Sequence, residues 1–141
     1  MNKKRISIIT ILIAFAVSHY LPAFGSDRGY ECFWFCVETL LSTPEEMSGW
    51  NGWGGWFYYA GFAISNLLFV AFAFTLIAKQ NSTRRIKMIS LIMSLHVASW
   101  GILNLSDLSD IKIGYYLWLG AYIGLTYITF TRQNRVQPVG I

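Results

Sequence analysis

Four stretches of this chain run without a charged residue for about the thickness of a bilayer: Ile6 to Ser26, Met47 to Ala78, Met88 to Ser106 and Ile113 to Thr131. A helix needs roughly 20 mostly apolar residues to cross a hydrocarbon core. A water-soluble fold of 141 residues has no use for four such runs, because too little polar surface would remain to cover it. Charged residues make up only 13% of the chain, about half the roughly 25% usual in soluble domains. The expected fold is therefore an all-α membrane protein: a four-transmembrane-helix bundle forming one integral membrane domain over residues 1–141, with spans near 6–24, 57–78, 88–104 and 113–130.

The formal charge of +4 is explained by where the charges lie, so no nucleic-acid partner is expected. All seven acids (Asp27, Glu31, Glu38, Glu45, Glu46, Asp107 and Asp110) fall in the first and third connections. Nine of the eleven basic residues lie elsewhere, at Lys3, Lys4 and Arg5, at Lys79, Arg84, Arg85 and Lys87, and at Arg132 and Arg135; Arg28 and Lys112 are the exceptions. Lys and Arg are retained on the cytoplasmic side of membranes. The alternation therefore predicts both termini and the second connection inside, with the first and third connections outside. Lys3, Lys4 and Arg5 followed by an apolar run and "AFGS" also have the form of a cleavable signal peptide, an alternative that would leave three helices.

The first outer connection, residues 25–56, is the longest, and long loops among short ones tend to carry function. Within it, "CFWFCVETLLSTPEE" predicts a short interfacial helix broken at Ser42 or Thr43 by the following proline. "SGWNGWGGWFYY" then places Trp50, Trp53 and Trp56 three apart among glycines, which reads as an aromatic belt at the headgroup level or as a surface for a partner or carbohydrate. The outer-loop interface candidates are Cys32, Trp34, Glu38, Trp50, Trp53 and Trp56.

No Asp, Glu, Lys or Arg lies well inside any span, which argues against ion-coupled transport. The polar candidates inside are Asn66 in the second span and His96, Trp100 and Asn104 in the third, the last three spaced by four and so on one helical face. Asn66 and His96 could be interhelical hydrogen-bond partners, and His96 could be a proton-sensitive group. Ser90, Ser94 and Ala98 form a small-residue row that would let another backbone approach, and Gly120 and Gly124 form a second. No metal-ligand cluster, phosphate loop or catalytic triad stands out, so neither a metal nor a cofactor is expected.

Cys32 and Cys36 are the only cysteines, and they are four residues apart rather than the three of the usual redox motif. On a helix their Cα atoms would be ~6 Å apart with nearly parallel Cβ vectors, and on a strand ~13 Å apart, so a direct bridge needs a loop or a distorted helix. Plain interfacial thiols, a structural or intermolecular disulfide, and redox catalysis all stay open. His19, at the outer end of the first span, could approach this segment.

Four short pieces spread over most of the chain carry a resemblance: "LPAF" (Leu21 to Phe24), "GYEC" (Gly29 to Cys32), Asn66 within the second helix, and "GYYLWLGA" (Gly114 to Ala121). In these the chain resembles a group of short uncharacterised bacterial four-helix multipass membrane proteins. The resemblance implies a four-helix fold with the outer loop packed against it, a retained first helix and a bacterial inner-membrane location. It implies no activity. The group's asparagine often precedes a proline; "AISNLL" has none, so no proline kink is implied here.

The expected function is that of a non-enzymatic inner-membrane protein acting through its outer loop on a membrane or periplasmic protein, as an accessory or immunity-type protein. The lipid bilayer is a necessary partner and a second copy of the chain a further candidate. The alternatives are a membrane thiol-disulfide oxidoreductase using Cys32 and Cys36, and a small channel or transporter lined by Asn66 and His96.

Overall fold

A computed structural model describes residues 3–44, 52–79, 82–104, 107 and 109–131. The described residues form five helices and one small hairpin in the order α1 (Lys3–Tyr20), β1 (Pro22–Phe24), β2 (Asp27–Arg28), α2 (Gly29–Leu41), α3 (Trp53–Lys79), α4 (Arg84–Leu103) and α5 (Ile113–Phe130). The protein is mostly helical, and α3 and α4 are long and apolar enough to cross a membrane.

The fourth apolar run becomes a helix with the expected bounds, and the other three depart from expectation for local reasons. α1 stops at Tyr20 instead of continuing to residue 24. Pro22 cannot donate within a helix and disfavours helical geometry at Leu21. The chain leaves the helix there and "LPAF" supplies a strand rather than a last helical turn. α3 begins at Trp53, earlier than the expected 57, so Trp53 and Trp56 belong to its first turn and the first connection is shorter than the expected 25–56. α4 begins at Arg84 because the Thr83 hydroxyl accepts the Ile86 N–H at 3.3 Å and caps the helix one turn before the expected start.

The hairpin was not foreseen. Gly25 sits at φ 56°, a left-handed conformation that suits glycine, and turns β1 back onto β2. The third connection then joins the same patch of sheet: Phe24 bridges Ile111, Lys112 N–H donates to Ala23 O at 3.0 Å, and Gly25 N–H donates to Asp110 O at 2.7 Å. α2 follows at once, its start held by the Glu31 carboxylate, which accepts the Arg28 N–H at 2.7 Å. It ends at Leu41, with Ser42 as C-cap, where the Ser-Thr-Pro stop was expected.

α1, α5, α4 and α3 pack in that cyclic order around one core, and α2 lies against α1 and α3. At its centre Phe15, Phe69 and Tyr122 from three helices are in ring contact, with Phe15 and Phe69 stacked at 4.2 Å. α4 meets α5 through small residues, as the row Ser90, Ser94, Ala98 suggested. The Ser94 and Thr126 hydroxyls pair at 2.8 Å, those of Ser90 and Thr129 at 3.2 Å, and Thr126 also donates to Ser90 O. Among the described residues no Asp, Glu, Lys or Arg is buried, and the buried polar groups are hydroxyls and the Asn66 amide, with the Cys36 thiol and His96 Nε2. Buried hydroxyls on helices satisfy themselves in this way when no water is at hand.

The two ends of the bundle differ in charge. The end of α1, the hairpin, α2 and the α4–α5 connection sit together with Asp27, Glu31 and Asp110. At the opposite end Lys4 feels the charge of Lys87, and the Lys87 ammonium lies 5.7 Å from the Phe130 ring.

Candidate functional site

The hairpin and α2 close over the acidic end of the bundle as a cap, and beneath them is a cavity of about 520 Å³. That volume is in the range of small-molecule sites, roughly 300–1,000 Å³. α2 contributes Cys32, Phe33, Phe35 and Cys36 to its roof; Phe62 and Asn66 of α3 and Trp118 of α5 lie deep in it; Trp100 of α4 and Tyr115 of α5 form a wall; Asp27 and Glu31 stand at its outer edge.

Asn66 organises the deep end. Its Oδ1 accepts from Trp118 Nε1 at 2.9 Å and from the Tyr122 hydroxyl at 3.2 Å, and its Nδ2 donates to Phe62 O at 3.0 Å. One amide thus satisfies an indole and a phenol that stand four apart on α5 and would otherwise be buried donors without acceptors. The expected pairing of Asn66 with His96 does not form. The His96 ring lies against Phe62 at 4.3 Å and Tyr58 at 5.1 Å, and its Nε2 is buried with no hydrogen-bond partner among the described residues. Gly61 makes room for it, since a Cβ there would lie 3.0 Å from that nitrogen.

Residues of "LPAF", "GYEC" and "GYYLWLGA" meet at this cavity together with Asn66. Ala23 and Phe24, Gly29, Glu31 and Cys32, Asn66, and Gly114, Tyr115 and Trp118 all line it. Two glycines permit the convergence. A Cβ on Gly29 would come within 2.5 Å of Ser18 O, and one on Gly114 within 2.6 Å of Pro22 O. Both are backbone contacts that cannot swing aside, so at these two points the start of α2 meets the end of α1, and the start of α5 meets β1, because the residue there has no side chain.

Of the α4 candidates, Trp100 lines the cavity, packing edge-on against Phe24 at 4.9 Å and against Tyr115 at 5.5 Å. Asn104 caps α4, its Nδ2 donating to Trp100 O at 2.8 Å. Gly124 packs against Ile11 of α1, whereas Gly120 faces open space, so that pair is not one continuous packing face within the chain.

Both cysteines are free thiols on α2. Burial, with help from the carboxylates of Asp27 and Glu31, pushes the Cys32 thiol up to about 11, and burial, followed by the neighbouring Cys32, pushes Cys36 up to about 12. His19 does approach this segment: its ring meets Phe33 at 5.9 Å while Nδ1 donates to Phe15 O at 2.8 Å.

Among the outer-loop candidates, Trp34 and Glu38 are exposed on α2. Trp53 is exposed, while Trp56 ties α3 to the end of α2 by donating from Nε1 to Ser42 O at 2.9 Å. Trp50, Glu45 and Glu46 lie outside the described residues. The sequence reading missed Tyr59, Tyr115 and Trp118 as cavity residues and Tyr122 as a partner of Asn66. The available signal was the spacing of Trp118 and Tyr122 by four, two polar-tipped rings on one face of an apolar helix facing an asparagine. Comparison with known protein families, with characterised proteins and with solved structures finds no match to this chain.

Proposed function

We propose that the chain is a four-span inner-membrane protein with both termini in the cytoplasm, and that it acts without catalysis by presenting its outer cap to another membrane or periplasmic protein, as an accessory subunit or an immunity-type protein. The observation that carries the reading is the outward face of α2. Tyr30, Trp34, Glu38 and Leu41 follow one another at intervals of three or four residues, and all four are exposed. The helix that bears them is held by main-chain bonds to the rest of the cap and packs against two helices of the bundle. A rigid helix with an outward face of large apolar residues and a single acid suits a groove on a partner.

The membrane part of the proposal extends from α3 and α4 to their neighbours. α1 and α5 have 18 residues each, or ~27 Å of helix, close to a bilayer core. Ile9, Ile13 and Val17 on α1 and Ile123, Tyr127 and Phe130 on α5 point outward from the core, as do Leu67 and Phe74 on α3 and Ile92 and Leu95 on α4. Acids at one end and bases at the other support cytoplasmic termini.

The thiol-disulfide reading has less support, because raised thiols make weak nucleophiles and a chain with two cysteines lacks a second pair to relay electrons. The channel reading also has less support. Below Asn66 the bundle is filled by Phe15, Phe69 and Tyr122, the opposite of a hydrated path.

Photo-crosslinking in intact cells tests the proposal. A crosslinker replacing Trp34 is expected to give a discrete protein adduct, which Glu38→Ala weakens, while the same group at Leu67 gives lipid adducts only. Lipid adducts alone from both positions would remove the partner reading. A reporter fused after Ile141 that is active only outside the cytoplasm would remove the topology.

A further inference from the structure

The cavity beneath the cap has a chemical bias that the partner reading does not use. Eight Phe, Tyr and Trp side chains line it. Among the described residues its only charged ones are Asp27 and Glu31, both exposed, and neither Lys nor Arg is part of the lining. Polarity is therefore graded, with carboxylates at the mouth, aromatic faces through the body and the Asn66 amide at the deep end. The negative faces of aromatic rings attract cations, and carboxylates at an entrance repel anions and raise the local concentration of cations.

We infer that this cavity is a binding site for lipophilic organic monocations of drug-like size, such as quaternary ammonium or phosphonium compounds. The apolar groups would sit against Trp100, Tyr115 and Trp118, with the charge held between the rings and the two carboxylates. A neutral apolar molecule would gain nothing from Asp27 and Glu31, and an anion would be disfavoured by both. The Glu31 carboxylate accepts the Arg28 N–H and the Tyr30 hydroxyl, the latter at 3.2 Å, and both partners leave its negative charge in place. Metal ions are not the expected occupants, because the walls offer rings where a small hard cation needs oxygen ligands. This inference stands apart from the partner proposal, since it concerns the underside of the cap and not its outer face.

The test compares two ions of the same shape and opposite charge, tetraphenylphosphonium and tetraphenylborate, binding to the purified full chain in an uncharged detergent. Tetraphenylphosphonium is expected to bind saturably at one site and to quench Trp fluorescence, and tetraphenylborate is expected not to. Asp27→Asn together with Glu31→Gln should weaken the cation about three- to tenfold, the effect expected of two partly exposed carboxylates. Glutamine can keep the cap at the start of α2. Glu38→Gln, which alters an acid on the outer face of α2, should leave the affinity unchanged. Equal binding of both ions, no saturable binding of the cation, or an equal loss in Glu38→Gln would each overturn the inference. If the double variant fails to fold, the pair of ions on the unaltered chain still decides the question.

Discussion

Replacing Asn66 by Leu keeps the size of the side chain and removes its polar end. The half-buried Trp118 Nε1 and the buried Tyr122 hydroxyl then lose their acceptor, and Tyr122 is 1% exposed. Hydrogen bonds between membrane helices are worth ~0.6 kcal/mol on average and ~1.7 at most. The two together predict a loss of about 1–3 kcal/mol, where ~1.4 kcal/mol is tenfold in the folding constant. The sharper test lies in the cycle with Tyr122→Phe. In the unaltered chain that change removes a satisfied hydroxyl and is expected to destabilise. In the Asn66→Leu background the hydroxyl is already without an acceptor, so its removal should be neutral or stabilising. The assay is reversible unfolding by sodium dodecyl sulfate in mixed micelles, followed by far-UV circular dichroism. If Tyr122→Phe costs the same in both backgrounds, to within ~0.3 kcal/mol, the hydrogen bond to Asn66 does not contribute as argued.

Further expectations concern backbone contacts, thiols and the α4–α5 seam. Gly29→Ala and Gly114→Ala should each destabilise by about 1–3 kcal/mol because their Cβ atoms would meet backbone oxygens, whereas Gly120→Ala, with open space around it, should be neutral or gain up to ~1 kcal/mol of helix propensity. Thermal unfolding in detergent separates the two classes, and equal effects would contradict the close approach. With Cys32 up at about 11 and Cys36 at about 12, maleimide labelling at neutral pH should be slower than for a free thiol near 8.5 by roughly 300-fold at Cys32 and roughly 3,000-fold at Cys36, and still rising at pH ~10. Because both thiols are raised in the folded chain, the stability they contribute is complete below pH ~8.5 and declines as pH climbs toward those folded values. A labelling rate that levels off near pH 9 would mean that the thiols are not buried as described. Thr126→Val removes the donor to Ser90 O and the partner of Ser94, so it should cost ~0.6–1.7 kcal/mol in the same unfolding assay, and no change would make the seam a matter of packing alone.

The long-range pattern of this chain could be read from its residues, and the local turns could not. Four apolar runs gave four helices, and the Ser-Thr-Pro after Leu41 ended a fifth, because solvent and proline act on a stretch of sequence whatever surrounds it. The hairpin was hidden. Three residues of β1 are too few to show an alternation, and their pairing depends on Asp110 to Lys112, far along the chain. The error over Asn66 has a similar origin. His96 looked like its partner because both are polar, but an asparagine oxygen among aromatic side chains is better matched by N–H and O–H donors on rings, and α5 held two of them. Cys36 drew attention as half of a pair and serves as a buried apolar contact in the roof of the cavity.

The backbone clasp between the hairpin and the α4–α5 connection bears on how the protein is made. β1 is synthesised just after the first helix, but Ile111 and Lys112, which pair with Phe24 and Ala23, emerge only when four helices have already been built. Until then one edge of the hairpin has unsatisfied groups and the cavity lacks the wall that α5 supplies. In the proposed topology, completing that end requires the α4–α5 connection to return to the side where the hairpin lies. In the same topology, a chain halted before Asp110 would leave that edge uncovered on the outer side of the membrane.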